Sequence, residues 1–269
     1  MLRVMTWNIR TGGRDRGGLD RLDQVVQVID EQAPDVLALQ ELRGFDRDGL
    51  MAGVAGRVGM VPHLARSCFG QPVAVLVRPP YRVVDARPVR RPFHHAAARV
   101  VMATSAGPLT VLGTHLYPYS GGRRRMEVDW LIAAMRRDQG PLTLITGDLN
   151  SLDPTVDHTD RLAGMPTLYR RRHLRRSGDT VDTRAVARLL AAGLVDLWPS
   201  GNADAPEAAG YTVPTGLGGA EFAGMRLDYL LGSPAVAQRV RDCRVIRDGV
   251  AATASDHYPL LATLELSPG

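Results

Sequence analysis

Short apolar runs recur along this chain, each closed by polar residues or by glycine and proline. Residues 2–9 read as a buried strand, and a loop rich in glycine and arginine follows over residues 11–18. Leu19, Leu22, Val26 and Ile29 then fall at helical spacing, and Pro34 stops that helix. Residues 35–40 predict a second short strand, which delivers Glu41 at its end. Residues 73–77, 82–89, 98–104 and 109–114 predict further strands, separated by proline and glycine. A helix is expected over residues 124–137, with Met126, Trp130 and Met135 among its apolar positions. Residues 142–146 predict a buried strand that runs into Gly147-Asp148-Leu149-Asn150. The polar, arginine-rich stretch 151–179 reads as a long surface excursion. Another helix is expected over residues 183–192, ended by Gly193, and residues 199–220 read as loop. Residues 226–231, 239–246 and 258–266 predict the closing strands.

This mixture of strands and helices, with no internal repeat and no linker, predicts one domain over residues 1–269. The expected class is α/β (α+β), a four-layer α/β/β/α sandwich with two mixed sheets face to face and helices outside. A hydrophobic content of 45% supplies a sizeable core. No apolar stretch approaches the roughly 20 residues that span a bilayer, so no membrane partner is expected. The first residues enter a strand without an apolar leader and cleavage site. Cys68 and Cys243 lie far apart with no CxxC, which indicates neither a disulfide framework nor a zinc site. Together these features point to the cytoplasm, and a monomer is favoured. The net charge is +5, and all 33 basic residues are Arg. The planar fork of Arg suits phosphate, and a modest positive balance permits an anionic substrate. Aromatic residues make up only 5% of the chain, which speaks against a single-strand binder built on stacking platforms.

The chemistry gathers at the ends of the apolar runs. Asn8, Glu41, His115, Asp148 with Asn150, Asp228, and Asp256 with His257 each sit where a predicted strand meets a loop. From there a rigid scaffold can aim side chains into one cleft. An oxygen-rich set with little sulfur favours Mg²⁺ or Mn²⁺ over zinc. Paired imidazole and carboxylate groups suit acid–base work and stabilisation of a phosphoryl transition state. Trp7 reads as a core residue.

Six motifs carry a resemblance: Thr6-Trp7-Asn8-Ile9, Gln40-Glu41, Gly113-Thr114-His115-Leu116, Gly147-Asp148-Leu149-Asn150, Arg226-Leu227-Asp228-Tyr229 and Ser255-Asp256-His257. In this order the chain resembles the endonuclease/exonuclease/phosphatase superfamily, the DNase I-like enzymes. That resemblance implies a hydrolase in which water attacks phosphorus in line, on a phosphodiester or phosphomonoester. It implies that Glu41, Asn8 and Asp256 hold the metal, and that Asp148 orients or deprotonates the water. Asn150 would hold that water or a phosphate oxygen. His257, bonded to Asp228, would stabilise charge on the scissile phosphate, and His115 would act toward the leaving group. Arg43 matches a substrate-contacting position.

One departure matters. The alignment places Gln71 where DNase-like members hold a carboxylate beside the first histidine, so His115 is expected to lack an acidic partner. Arg123 and Arg124, after Gly121-Gly122, are the better candidates for gripping a phosphate. Arg170-Arg171-Arg172 with Arg175-Arg176 reads as a solvated face or a phosphate patch, and His94-His95 as surface or local packing. The substrate class stays open between a nucleic acid and a phosphorylated metabolite. The alternative to hydrolysis is a repurposed cleft, in a biosynthetic enzyme or binding protein.

Overall fold

The computed structural model describes residues 1–15, 20–138, 140–178, 180–202 and 204–269. Among these, twelve strands lie in two six-stranded sheets. In the first sheet β1 (Leu2–Asn8) runs parallel to β2 (Val36–Gln40). Beyond β2 lie β4 (Val73–Val77) and then the edge strand β3 (Val61–Ala65). On the other side of β1 lie β12 (Leu260–Leu264) and β11 (Val240–Val245). The second sheet is ordered β5 (Val83–Pro88), β6 (Ala97–Met102), β7 (Leu109–His115), β8 (Leu142–Asp148), β10 (Asp228–Gly232) and β9 (Val195–Asp196). Its β7 and β8 are the parallel pair.

The core between the sheets follows from alternation along the strands. Leu2 and Val4 on β1, Val36 and Ala38 on β2, Leu109 and Val111 on β7, and Leu142 and Leu144 on β8 all belong to it. Continued at a period of two, these apolar stripes end on Asn8, Gln40, His115 and Asp148. The face that makes the core therefore turns polar at one rim, where the same strands run out.

The opposite faces are covered by helices. α1 (Leu22–Gln32) buries Leu22, Val25, Val26 and Ile29 on the first sheet, against Met5, Trp7, Leu37 and Leu39. Each fully buried Val or Ile contributes about 1.5–3 kcal/mol. The helix stops at Ala33, whose φ of 40° is left-handed and whose N–H returns to the Ile29 carbonyl, just before Pro34. Leu19, expected to open this helix, lies outside the described residues. α2 (Leu50–Arg57) packs on the same side through Met51, Val54 and Ala55. The second sheet is covered by α3 (Gly121–Asp138), through Val128, Leu131 and Ile132, and by a helix over Arg184–Ala191, through Val186 and Leu189. The expected four layers are thus present.

Three expectations need correction. The apolar pattern predicts neither α2 nor β3, and both are present. The stretch 151–179 is more than a surface excursion, because it carries short helices over Thr159–Ala163 and Thr167–Arg170. Leu152, Leu162 and Met165 bury there against Val213, Met225 and Leu227 in a small core of their own. The strand expected to open at residue 226 begins at Asp228, because the Arg226 guanidinium is drawn aside to bond Asp153 and Asp196.

Candidate active site

Register brings the polar residues together. Asp148 pairs with His115 on one side and with Asp228 on the other, and Asn8 pairs with Gln40 in the facing sheet. Residues in such register have Cβ atoms about 4.5–5.5 Å apart, so one row of the second sheet holds two carboxylates and an imidazole. Gly147 makes that row possible. Its φ is 140°, and a Cβ there would fall 1.8 Å from the Thr114 carbonyl oxygen on β7. Beyond the strand ends, Arg10, Thr11, Glu41 and Asn150 take left-handed φ values of 47°, 51°, 59° and 48°. Such a conformation costs an L-residue about 1–2 kcal/mol, and strain of this kind persists only where the surroundings over-determine it.

Several bonds fasten the two sides of the rim. Trp7 Nε1 donates to the His257 carbonyl at 2.8 Å, and Ser255 Oγ donates to the Asn8 carbonyl at 2.7 Å. The Arg21 guanidinium, only 2% exposed, donates to the carbonyls of Ile9, Arg10 and Ala254. Arg21 thus ties the loop after β1 to the segment that carries Asp256 and His257 into β12.

His257 Nδ1 lies 2.8 Å from Asp228 Oδ2, and its Nε2 lies 3.8 Å from Asp148 Oδ2. Burial works against the imidazolium. The charge and hydrogen bond of Asp228, with Asp148 and Asp256 behind it, outweigh that and lift His257 to about 10. Asp148 is fully enclosed. Burial and the charge of Asp228 push it up, against the pull of His257, to about 7. It accepts from Asn8 Nδ2 at 3.0 Å and from the Asn150 N–H at 2.9 Å.

His115 is different. Burial, with the charges of His257 and His94, drives it down to about 3, so it stands as a neutral ring. Its Nε2 lies 2.9 Å from the Asn150 side-chain nitrogen and 3.3 Å from Asp148 Oδ2. The ring stacks flat on His95 at 3.9 Å. Gln71 does not face it. The Gln71 side chain donates to Glu41 Oε2 at 3.0 Å, while its backbone N–H donates to His95 Nδ1 at 2.9 Å. Of the two readings of His94-His95, surface or local packing, His95 takes the second, buried against His115; His115 Nδ1 has no hydrogen-bond partner among the described residues, and the carboxylate that does approach the ring, Asp148, lies on its Nε2 side.

Glu41 accepts from Asn8 Nδ2 at 3.2 Å and from the Thr11 N–H at 2.9 Å. Burial raises the Asp256 carboxyl, and the charge of Glu41 adds to that against His257 and Arg10. Two carboxylates that repel one another form an oxygen pair suited to a hard cation, while Asn8 turns Nδ2 to Glu41 and its Oδ1 accepts from the Arg10 N–H at 3.0 Å. A second group, Asp148, Asp228 and His257, has its ligand atoms within 4.8 Å of one another. Within it His257 Nδ1 is engaged by Asp228 Oδ2 at 2.8 Å, which leaves Nε2 and the carboxylate oxygens as the donors open to a cation.

The arginines divide. Arg43 is exposed, with no side-chain partner among the described residues. Arg123 reaches the Pro92 carbonyl and Glu127 and lies over the Trp130 ring at 5.3 Å. Arg124 does not line the cleft. It is fully buried and donates to the carbonyls of Tyr117, Pro118 and Arg172, because it sits on the inward face of the first turn of α3. Sequence reasoning missed Arg10, whose Nε lies 3.8 Å from Asp256 Oδ2, and it quoted Gln40 only beside Glu41, although the period of two along β2 places Gln40 on the inner face.

The sequence profile of the endonuclease/exonuclease/phosphatase family matches residues 5–257. The chain belongs to that family. Solved structures share its architecture, the DNase I-like α/β sandwich. An AP endonuclease from Archaeoglobus fulgidus superposes with a TM-score of 0.73 at 20% identity, covering 98% of this chain and 100% of that one. Truncated TDP2 from Caenorhabditis elegans gives 0.69 at 21%, covering 98% and 97%. The 3′ phosphatase NExo from Neisseria, bound to a product DNA hairpin, gives 0.69 at 21%, covering 98% and 100%. No curated protein matches this family member in sequence. Its described helices include none long and apolar enough to cross a membrane.

Proposed function

We propose that this chain is a divalent-metal-dependent phosphoester hydrolase that directs water onto a phosphodiester or phosphomonoester. The observation that carries the reading is geometric: His115, Asp148 and Asp228 stand in one row, with His257 Nδ1 2.8 Å from Asp228 and its Nε2 3.8 Å from Asp148, whose carboxyl burial pushes up. A base works best when its pKa lies near the operating pH, and a fixed cation stabilises charge as it develops on phosphoryl oxygens.

Asp148 takes the proton of the attacking water, and the Asn150 amide holds that water or a phosphate oxygen in line. His257 donates from Nε2 to a phosphoryl oxygen as charge grows, while Asp228 fixes the ring through Nδ1. His115, neutral and stacked on His95, places a ring edge near the leaving group rather than delivering a proton from an imidazolium. Glu41, Asn8 and Asp256 would hold Mg²⁺ or Mn²⁺, which when bound would supply Lewis-acid stabilisation of the phosphoryl charge. Arg43 and Arg123 are the candidate substrate arms. The whole chain acts as one catalytic unit in this reading, because each sheet contributes half of the residues.

The test is Mg²⁺-dependent turnover of bis-(p-nitrophenyl) phosphate, with plasmid DNA, an abasic-site duplex, RNA and phosphorylated metabolites alongside. Turnover should vanish with chelator and in Glu41→Gln. Metal-independent turnover, or equal rates in the variant, would remove the proposed centre. Silence on every substrate would favour the repurposed cleft.

A further inference from the structure

Two arginine-lined cavities lie at the two ends of α3. The first, about 950 Å³, sits at the N-terminal end beside Tyr119, a few residues beyond His115. Arg170, Arg171, Arg175 and Arg176 line it, and no carboxylate pairs with any of the four among the described residues. The helix terminus itself is already taken. Asp182 packs so close to Gly121 that a Cβ there would fall 1.9 Å from its Oδ2. An incoming anion is left to the guanidinium groups. The second cavity, about 520 Å³, lies along the C-terminal half of α3 against the edge strand β5. Arg90, Arg91 and Arg137 line it, again without a carboxylate partner among the described residues, beside Arg87, which shares Asp85. Arg123 joins the two: it lines the first cavity, lies over Trp130 of the second and donates to the Pro92 carbonyl next to Arg91.

Clustered like charges without counter-charges repel, and an extended polyanion relieves that repulsion along its whole length. We propose that these cavities form one phosphate-binding track along α3, which grips the backbone of a nucleic-acid duplex outside the cleft. Length favours this occupant. The 18 residues of α3 span about 27 Å, the rise of roughly eight base pairs at 3.4 Å each; a phosphorylated metabolite cannot reach from one cavity to the other. The covered Trp130 ring favours a duplex over a single strand, because Arg123 lies over it and leaves that face poorly open for a stacked base. The inference rests on the hydrolase reading only for the identity of the scissile group, since binding by the track needs no turnover.

The experiment measures binding of a 30-base-pair DNA duplex over a salt series, for the native sequence and for an Arg90→Ala/Arg91→Ala/Arg137→Ala variant. All three side chains are exposed, so both proteins should fold alike, which their melting curves check. Every arginine–phosphate pairing that a substitution removes should lower the slope of log K against log salt by about 0.9, so the triple variant should lose about 2–3 units of slope and bind at least tenfold more weakly at moderate salt. Turnover of bis-(p-nitrophenyl) phosphate should be unchanged. An Arg175→Ala/Arg176→Ala variant should lose about 2 units. Equal slopes in all three proteins overturn the track, as does equal binding to anionic lipid vesicles and to the duplex. Glu41→Gln separates the two ideas: it should abolish turnover and leave the slope intact, so a native protein that binds with the expected slope but never hydrolyses sinks the hydrolase reading alone.

Discussion

Asp228→Asn changes one charge and almost no volume at the bottom of the site, and its consequences can be worked from the geometry. Asp228 Oδ2 stands 2.8 Å from His257 Nδ1, with both side chains at most 4% exposed. It supplies the largest favourable influence that lifts His257 to about 10. That folded value lies above the unfolded 6.5, so the stabilisation is complete below pH 6.5 and fades as pH rises through about 10. In the variant the ring keeps only the more distant charges of Asp148 and Asp256 against the same burial, and it goes neutral. Breaking one side of a buried pair costs about 3–5 kcal/mol. At about 2–4 °C per kcal/mol for a chain of this size, the melting temperature should fall by roughly 6–20 °C. Thermal melts by circular dichroism at pH 6 and pH 9.5 provide the assay. The native protein should lose stability between those values from this group, and the variant should show a flatter difference. Turnover should drop by about 10²–10³, the usual loss when one charge-stabilising donor is removed. A variant that melts within about 2 °C of the native protein with the same pH difference would refute the reasoning.

Gly147→Ala should be among the most damaging single-methyl changes, costing more than about 3 kcal/mol through strain and a clash with the Thr114 carbonyl; urea denaturation reads it, and a loss below about 1 kcal/mol contradicts the close approach of β7 and β8. Arg226→Met leaves Asp153 and Asp196 without their shared cation and should destabilise by about 3–5 kcal/mol, with an unchanged urea midpoint as the contrary result. His115→Ala should cost less turnover than His257→Ala, since the native ring is neutral while His257 carries the charge; equal losses would oppose that division. Turnover against pH should rise through about 7 as Asp148 gives up its proton and fall near 10 with His257, and a profile flat from pH 5 to 8 would exclude Asp148 as the base.

Much of the site was legible because strand ends announce themselves. Asn8, His115 and Asp148 each end an apolar run whose alternation fixes the face they share, and Glu41 follows Gln40 just beyond β2. What escaped depends on contacts between distant segments or on weak local signals. α2 carries Gly53 and Gly56, poor helix formers, and is held by Met51 and Val54 against the first sheet. β3 contains Pro62, tolerated because the strand lies at an edge. Arg123 and Arg124 are adjacent in sequence, yet a helix turns each residue by about 100° from the next, and only the packing of α3 decides which is buried. His94-His95 reads as surface or local packing, and only the folded second sheet decides between them by laying His95 on His115. Gln71 aligned with a catalytic position, and the loop before β4 carried it to Glu41 instead.

His257 lies three residues before the start of β12, and β12 is the strand that pairs antiparallel with β1. The earlier part of the sequence can lay down Asn8, Glu41, His115 and Asp148, but the imidazolium and Asp256 arrive only when the final strand takes its place beside the first. Until then Asp148 has no cation beside it and Asp228 no ring to hold. In the proposed hydrolase reading, activity would therefore require β12 to be paired with β1.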